Sequence, residues 1–179
     1  MVFDWDDFNE HNHRYDLLLQ LKEIRPDFRC TMFAVPALGS AEFWGDVPDW
    51  IELAVHGWAH GSVYECANWS YDRMELLLDN PIVQEFFTQG FKAPGWQISD
   101  GCYRVLMERG WWVGDHPDNN HRRPEGIRAH VWGGKHHWHG HIQDVCGNGL
   151  EETFDAVASL VRLADSFEFV SEGVSPWKP

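Results

Sequence analysis

The chain has 179 residues, 44% of them hydrophobic, and its 28 acidic and 14 basic residues give a formal charge of −14 at pH 7. This length suits one domain with a single core, and the apolar content excludes a disordered chain. The acidic balance disfavours nucleic acid and membrane surfaces as partners, because such binding depends on Lys and Arg. We therefore expect one domain over residues 1–179, in which 11 Trp and 11 His call for an explanation.

The N-terminal residues carry no targeting signal, and the cysteines carry no disulfide signal. Residues 1–7 lack a basic segment followed by an apolar run, so we expect no signal peptide and a cytoplasmic location. No apolar stretch approaches the ~18 residues of a transmembrane helix. The four cysteines form no CxxC pair, which favours buried free thiols over a thiolate zinc site: Cys30, Cys66, Cys102 and Cys146.

Short β-like runs alternate with helical runs along the chain. Strands are predicted at residues 2–5, 29–35, 51–55, 91–93, 111–114, 128–132, 135–142 and 167–170. Helices are predicted at residues 15–24, 71–78, 81–89, 99–109 and 150–164. Because βα alternation builds a parallel sheet covered by helices, the fold class is α/β, either an open doubly wound sheet or a barrel.

In such folds, ligand-binding residues collect where the strands end. The first strand leads into Asp4, Asp6 and Asp7, which repel one another unless a cation or a proton compensates. The third strand leads into His56 and His60, whose H-x3-H spacing is common in sites for divalent transition metals. One carboxylate and two histidines would leave coordination positions for water and substrate, as in catalytic zinc sites, and would also accept Fe, Co, Ni or Mn.

Later strand ends carry further candidates. Lys92 and Gly95 follow the fourth strand, and Gly95 lets the backbone approach a ligand closely. Asp115 follows the fifth strand, while His139 and His141 share one face of the seventh. This concentration of ionisable residues at one edge of the sheet favours a metal site over unrelated surface groups.

The order of these motifs resembles the polysaccharide deacetylase family, carbohydrate esterase family 4, over residues 2–170. Five motifs carry the similarity, in chain order Asp6-Asp7, His56-x3-His60, residues 92–96, Asp115, and residues 138–141. The resemblance implies a distorted seven-stranded (β/α) barrel. It also implies a metal-dependent hydrolase that removes an acetyl group from an N-acetylated sugar or polysaccharide by metal-activated water.

The resemblance assigns one divalent metal, Zn²⁺ in the first instance, to Asp7, His56 and His60. Asp6 would be the general base, with Asp4 as the alternative, and a water would attack an acetamide carbonyl.

A histidine would then protonate the leaving amine. His141 is the first choice because its distance to the last helix is closer to that in the family, and His139 is the second.

Substrate contacts are expected from Lys92, Gly95, Trp96 and Trp58, with the Gly95 N–H stabilising the oxyanion. Lys92 stands where the family has an arginine that holds the base. The compact ammonium of lysine therefore replaces a planar guanidinium, which could bind the carboxylate through two parallel hydrogen bonds.

Some residues and functions stay outside this scheme. His136 and His137 are interpreted as surface or strand residues, and no role is given to His11, His13, His121 or His130. Cys146 as a nucleophile beside His141 is a minor alternative. The competing functions are a C–N hydrolase acting on a non-sugar amide and a catalytically silent barrel that binds metal or carbohydrate.

Overall fold

The structure, a computed structural model, describes residues 1–133, 136–145 and 147–177. Within these ranges, eight strands form one sheet: β1 Val2–Phe8, β2 Cys30–Ala34, β3 Ile51–Val55, β4 Gly90–Lys92, β5 Trp112–Asp115, β6 Arg128–Val131, β7 His137–His141 and β8 Ser175–Pro176. The α-helices of the described residues number six: α1 Tyr15–Ile24, α2 Ala41–Gly45, α3 Tyr71–Leu78, α4 Pro81–Phe86, α5 Asp100–Glu108 and α6 Leu150–Leu163. The predicted α/β class is confirmed.

The sheet curls into a half-barrel with the strand order β7-β1-β2-β3-β4-β5-β6-β8. Neighbouring strands from β7 to β6 are parallel, and the two-residue β8 pairs antiparallel with β6. The seven parallel strands are those that the family resemblance implies. Within the described residues no backbone ladder joins β6 to β7, but His130 Nε2 lies 3.2 Å from His137 Nδ1 across the gap.

The two faces of the sheet differ in what they pack against. Phe3, Trp5 and Met32 belong to the large core that also contains the buried sides of the helices. Phe33 and Ala54 belong to a small cluster on the concave side. Since side chains alternate along a strand, the positions between the outward-facing residues must line the inside of the half-barrel. Several of these inner positions are polar.

Most predicted element boundaries are confirmed to within a few residues because capping residues mark them. Ser99 caps α5 by accepting the Cys102 N–H, and Asn80 caps α4 immediately before Pro81. None of the described helices combines the length and apolar character needed to cross a bilayer.

Three differences from the prediction have local causes. The strand predicted at residues 167–170 is wrong: Glu168 makes one bridge to Val2, and the chain then turns because the Glu172 carboxylate accepts the Phe169 N–H at 2.9 Å. The helix α2 is five residues long, too short for a visible hydrophobic period. The strand β1 continues to Phe8 because Phe8 pairs with Ala34 of β2.

Three of the four cysteines belong to the large hydrophobic core. Cys30, Cys66 and Cys102 are buried and free, as predicted, and burial raises the pKa of each thiol. Cys146, and with it the alternative of a nucleophile there, lies outside the described residues, as does residue 135 at the predicted start of the seventh strand.

Candidate metal centre

Asp7, His56 and His60 come together at the carboxyl end of the sheet. Their ligand atoms all lie within 4.8 Å of one another. The Oδ1 atom of Asp7 is 3.6 Å from His56 Nε2 and 3.2 Å from His60 Nε2. The structure therefore assembles the three residues that the sequence predicts as metal ligands.

A break in the regular pairing of β1 explains why two consecutive residues, Asp6 and Asp7, both face this site. The register between β1 and β2 shifts between Asp6 and Phe8, and Asp7 has a φ of 68°, in the left-handed region. A bulge of this kind re-aims a side chain that would otherwise point to the other face. As a result, His56 Nε2 lies 3.7 Å from Asp6 Oδ2 as well as 3.6 Å from Asp7 Oδ1.

The residues fit a divalent cation. Asp7 Oδ1 is buried and has no hydrogen-bond partner in the described part of the chain, which is costly for a carboxylate unless a cation sits beside it. His56 Nδ1 is 3.0 Å from the Lys92 carbonyl oxygen, so this nitrogen donates and Nε2 keeps its lone pair for a ligand. Burial lowers the pKa of His56, against the opposing effect of Asp6 and Asp7, which favours the neutral, ligating form.

The ammonium of Lys92 lies beneath this centre, inside the half-barrel. Lys92 is 1% exposed, and its Nζ donates to Asp6 Oδ1 at 2.7 Å and to Asp4 Oδ1 at 3.4 Å. Among the described residues, three carboxylates (Asp4, Asp6 and Asp7) and one ammonium (Lys92) are buried in this region, which leaves two net negative charges when the histidines are neutral. One divalent cation would neutralise this charge.

Burial alone would raise the pKa of both Asp4 and Asp6. For Asp4, the Lys92 ammonium and the hydrogen bonds from His139 and His137 outweigh burial and hold the pKa well below its usual range. For Asp6, Lys92, His56 and His139 outweigh burial and lower the pKa. Both side chains are therefore carboxylates at neutral pH.

A second group, Asp6, His139 and His141, adjoins the first. Because β7 pairs with β1, His139 lies opposite Asp4 and His141 opposite Asp6. His139 Nδ1 is 2.7 Å from Asp4 Oδ1, and its side chain is 8% exposed. His141 is more open, at 23%, with Nε2 4.0 Å from Asp6 Oδ2.

The structure also adds residues that the sequence reading missed. His137, interpreted from the sequence as a surface or strand residue, lies in β7 with its side chain 6% exposed, and its Nε2 is hydrogen-bonded to Asp4 Oδ2. His130, which was given no role, contacts His137, and burial followed by His137 lowers the pKa of His130 to about 4. The period-2 spacing of His137, His139 and His141 would have identified His137, because all three share one strand face. His136 is exposed, as predicted.

The predicted substrate residues take different positions. The Trp96 ring lies 4.1 Å from Lys92 Nζ and 5.5 Å from the His139 ring. Trp132, 37% exposed, stacks on His116 with centroids 5.6 Å apart and contacts the Trp96 ring at 6.4 Å. Aromatic rings thus surround the β5–β6 side of the site.

Trp58 and Gly95 have different neighbours from these rings. The Trp58 side chain lines a cavity of about 160 Å³ with Trp69 and Arg73, and this cavity shares no lining residue with the Asp/His groups. Gly95 has a φ of 57°, and a Cβ there would lie 2.5 Å from the Val63 carbonyl oxygen. Glycine is therefore required at this position by the backbone, whatever its role towards substrate. The substrate contacts predicted for Lys92, Gly95, Trp96 and Trp58 stay predictions.

Asp115, the candidate for the fourth family motif, is fully occupied by protein partners. Its carboxylate accepts hydrogen bonds from Tyr103 at 2.6 Å, Asn119 at 2.6 Å, the His116 N–H at 2.8 Å and Arg123 at 2.9 Å. It lies outside both Asp/His groups formed by the described residues. The geometry gives Asp115 a structural role, anchoring the loop that follows β5.

Comparison with known proteins identifies the architecture. No protein-family model matches the sequence, and no curated protein matches it. A family 4 acetyl xylan esterase from Clostridium thermocellum, in complex with a cobalt ion, superposes with a TM-score of 0.62 at 13% identity, covering 96% of this chain and 88% of its own.

Two further solved structures give similar values. The Xyl-CE4 domain of a multidomain xylanase from the hindgut metagenome of Trinervitermes trinervoides has a TM-score of 0.59 at 15% identity, covering 96% of this chain and 87% of its own. A deacetylase solved with substrate has a TM-score of 0.59 at 14% identity, covering 98% and 92%. The chain has the fold of carbohydrate esterase family 4, and the resemblance drawn from its motifs is confirmed at the level of the fold.

Proposed function

We propose that this protein is a metal-dependent deacetylase that hydrolyses an acetyl group from a sugar or polysaccharide. One observation carries the proposal: the Asp7, His56 and His60 group lies directly beside the carboxylate of Asp6, which Lys92 holds from below. The names of the structural neighbours, two of which are an acetyl xylan esterase and a deacetylase, support the same reaction class.

Asp7, His56 and His60 would hold the metal. A bound divalent cation supplies Lewis-acid activation of water and of the acyl oxygen. Zn²⁺ is the first candidate from the ligand types, and the cobalt ion in one neighbour supports a divalent transition metal in general.

Asp6 is the proposed general base, in preference to Asp4. Both oxygens of Asp4 are engaged, Oδ1 by His139 and Lys92 and Oδ2 by His137. In Asp6, Lys92 donates a hydrogen bond to Oδ1 and not to Oδ2, and Oδ2 faces His56 Nε2 at 3.7 Å. Asp6 Oδ2 is therefore the carboxylate oxygen available to take a proton from the attacking water.

His141 is the proposed general acid, with His139 as the alternative. The side chain of His141 is 23% exposed against 8% for His139, and its Nε2 lies 4.0 Å from Asp6 Oδ2, so His141 is the histidine more open to a bound substrate. His139 is tied through Nδ1 to Asp4, which fixes the ring and presents Nε2 towards Asp6 Oδ2 at 3.8 Å.

The two histidines can be separated by leaving-group chemistry. A general acid is needed for an amide or sugar leaving group and hardly at all for 4-nitrophenolate. Replacing the general acid by Gln should therefore lower the rate of acetate release from N-acetylglucosamine oligomers about 10²–10⁴-fold and leave the rate of 4-nitrophenyl acetate hydrolysis unchanged. We expect this pattern for His141→Gln; finding it for His139→Gln alone would reverse the assignment.

The substrate is proposed to be a sugar because aromatic rings flank the site. The faces of Trp96 and of the Trp132–His116 stack can pack against the apolar face of a pyranose ring. We propose an N-acetyl group as the target. An O-acetyl group is the second candidate, since one structural neighbour is named as an acetyl xylan esterase.

The decisive variant is Asp6→Asn, assayed for acetate release from N-acetylglucosamine oligomers and acetylated xylan with metal content measured on the same sample. We expect loss of acetate release with about one metal retained per chain. Equal activity of Asp6→Asn and the unmodified protein would overturn the role of Asp6. A metal-loaded protein that is silent on both substrates would favour a non-catalytic binding barrel.

A further inference from the structure

Glu65 lies outside the five sequence motifs, yet its carboxylate accepts hydrogen bonds from the backbone of the loop that ends at His60. Its Oε2 accepts the backbone N–H of Trp58 at 3.0 Å and that of His60 at 3.0 Å. Its Oε1 accepts the N–H of Ala59 at 3.2 Å. One side chain therefore accepts hydrogen bonds from three successive backbone amides, those of residues 58–60.

We propose that Glu65 is a positioning residue of the metal centre, which sets the place of His60 through the backbone. This inference rests on the proposed metal-dependent function. Hydrogen bonds to an ionised acceptor are stronger than neutral ones, so three of them on one carboxylate hold the loop firmly. Glu65 acts on amides and not on the ligand atoms, so its effect reaches the metal only through the position of His60.

His60 needs such support more than His56 does. His56 follows β3 directly, is 2% exposed, and is fixed by the Lys92 carbonyl oxygen at 3.0 Å. The side chain of His60 is 26% exposed, and its ring nitrogen contacts Asp7 Oδ1 at 3.2 Å. The backbone of His60 has a φ of 49°, a left-handed conformation that non-glycine residues adopt only when their surroundings enforce it. The hydrogen bond from the His60 N–H to Glu65 acts at this strained residue.

The glycine inside the H-x3-H motif fits the same arrangement. Gly57 has a φ of +67°, and a Cβ at this position would lie 2.3 Å from Glu65 Oε2. A side chain here would push the carboxylate away from the amides that it binds. Gly57 and Glu65 are therefore matched, and the loop conformation depends on both.

The test measures metal affinity and loop order separately. Metal-free protein is titrated with Co²⁺, and hydrogen exchange of the Trp58, Ala59 and His60 amides is followed by NMR without metal. The variants are Glu65→Gln, which removes the charge at constant size, and Glu65→Asp, which keeps the charge but shortens its reach. The control is Glu172→Gln, because Glu172 accepts a single backbone N–H, that of Phe169 at 2.9 Å, away from the loop.

For Glu65→Gln we expect Co²⁺ affinity to fall about 10–100-fold, the range typical of residues that orient metal ligands. The three loop amides should exchange about tenfold faster in the metal-free protein. In both measurements, Glu65→Asp should lie between Glu65→Gln and the unmodified protein, and Glu172→Gln should match the unmodified protein.

Two results would overturn the proposal. Unchanged Co²⁺ affinity in Glu65→Gln would exclude any role at the metal. Weakened affinity with unchanged amide exchange would mean that the carboxylate acts by charge alone and does not position the loop. Failure of the unmodified protein to bind Co²⁺ at all would instead refute the proposed metal-dependent function.

Discussion

Replacing Lys92 by methionine removes the only ammonium that faces Asp4 and Asp6 among the described residues. Methionine keeps most of the side-chain volume, so packing against Phe33 and Trp96 changes little. What changes is that two carboxylates, 1% and 4% exposed, lose a cation at 3.4 and 2.7 Å. We therefore expect Lys92→Met to fold with a large loss of stability.

The size of the loss follows from burial. Removing one partner of a buried ion pair costs about 3–5 kcal/mol, because the remaining charge is left uncompensated. In a domain of this length each kcal/mol shifts the melting temperature by roughly 2–4 °C. The metal-free variant should therefore melt roughly 6–20 °C below the unmodified protein at pH 7.5.

The loss should shrink at lower pH. In the unmodified protein the pKa of Asp4 is held well below its usual range, so its contribution to stability is present above the unfolded value, about 3.9, and is lost as the pH falls through the folded value. In Lys92→Met burial is no longer offset by the ammonium, so the pKa of Asp4 rises and protonation stabilises the variant. The two melting temperatures should approach each other between pH 7.5 and pH 5.

Thermal unfolding in the presence of a chelator measures this directly. The matched control is Arg109→Met, because Arg109 pairs with Asp79 at 2.9 Å on the surface, where ion pairs contribute little. A Lys92→Met variant that melts as the Arg109→Met control does would show that the buried carboxylates do not need the ammonium.

Three further predictions concern residues around the site. Burial raises the pKa of Glu52 above its value in the unfolded chain. The stability that this shift contributes is present below the unfolded pKa and is lost as the pH rises through the folded pKa. Glu52→Gln should therefore melt a few degrees higher than the unmodified protein at pH 8 and lose this advantage at pH 4. Arg123→Met should cost about 3 kcal/mol in thermal or urea unfolding, because Arg123 pairs with buried Asp115, and should leave Co²⁺ affinity unchanged. Trp132→Ala should raise KM for acetylated oligosaccharides several-fold with kcat and 4-nitrophenyl acetate hydrolysis unchanged; an unchanged KM would remove Trp132 from the substrate site.

Much of the proposed ligand group could be predicted from the sequence because its signals are local. The H-x3-H spacing lies within five residues, and the carboxylates follow a hydrophobic strand, so alternation and topology bring Asp6 to the same edge of the sheet as His56 and His60. The approach of Asp7 to these histidines depends on the bulge at Asp7, which no pattern of residues indicates. The short α2 and the turn at 169–172 were missed for a related reason, since single hydrogen bonds decide them.

The support around the ligands was less visible from sequence. His137 and Lys92 meet Asp4 inside the half-barrel from strands 133 and 88 residues away along the chain. Glu65 reaches back to the loop through backbone amides, which carry no sequence signature. A buried polar network of this kind is set by tertiary packing, so only the folded structure reveals it.

The proposed deacetylase function is tested most directly by measuring acetate release as metal is added back to metal-free protein. Oligomers of N-acetylglucosamine and acetylated xylan serve as substrates, and Zn²⁺ or Co²⁺ is added in fractions of one equivalent per chain. We predict that acetate release rises in proportion to bound metal, saturates at one metal per chain and is absent from Asp6→Asn at equal metal content. Tight binding of one metal per chain with no acetate released from either substrate would contradict the proposed deacetylase function.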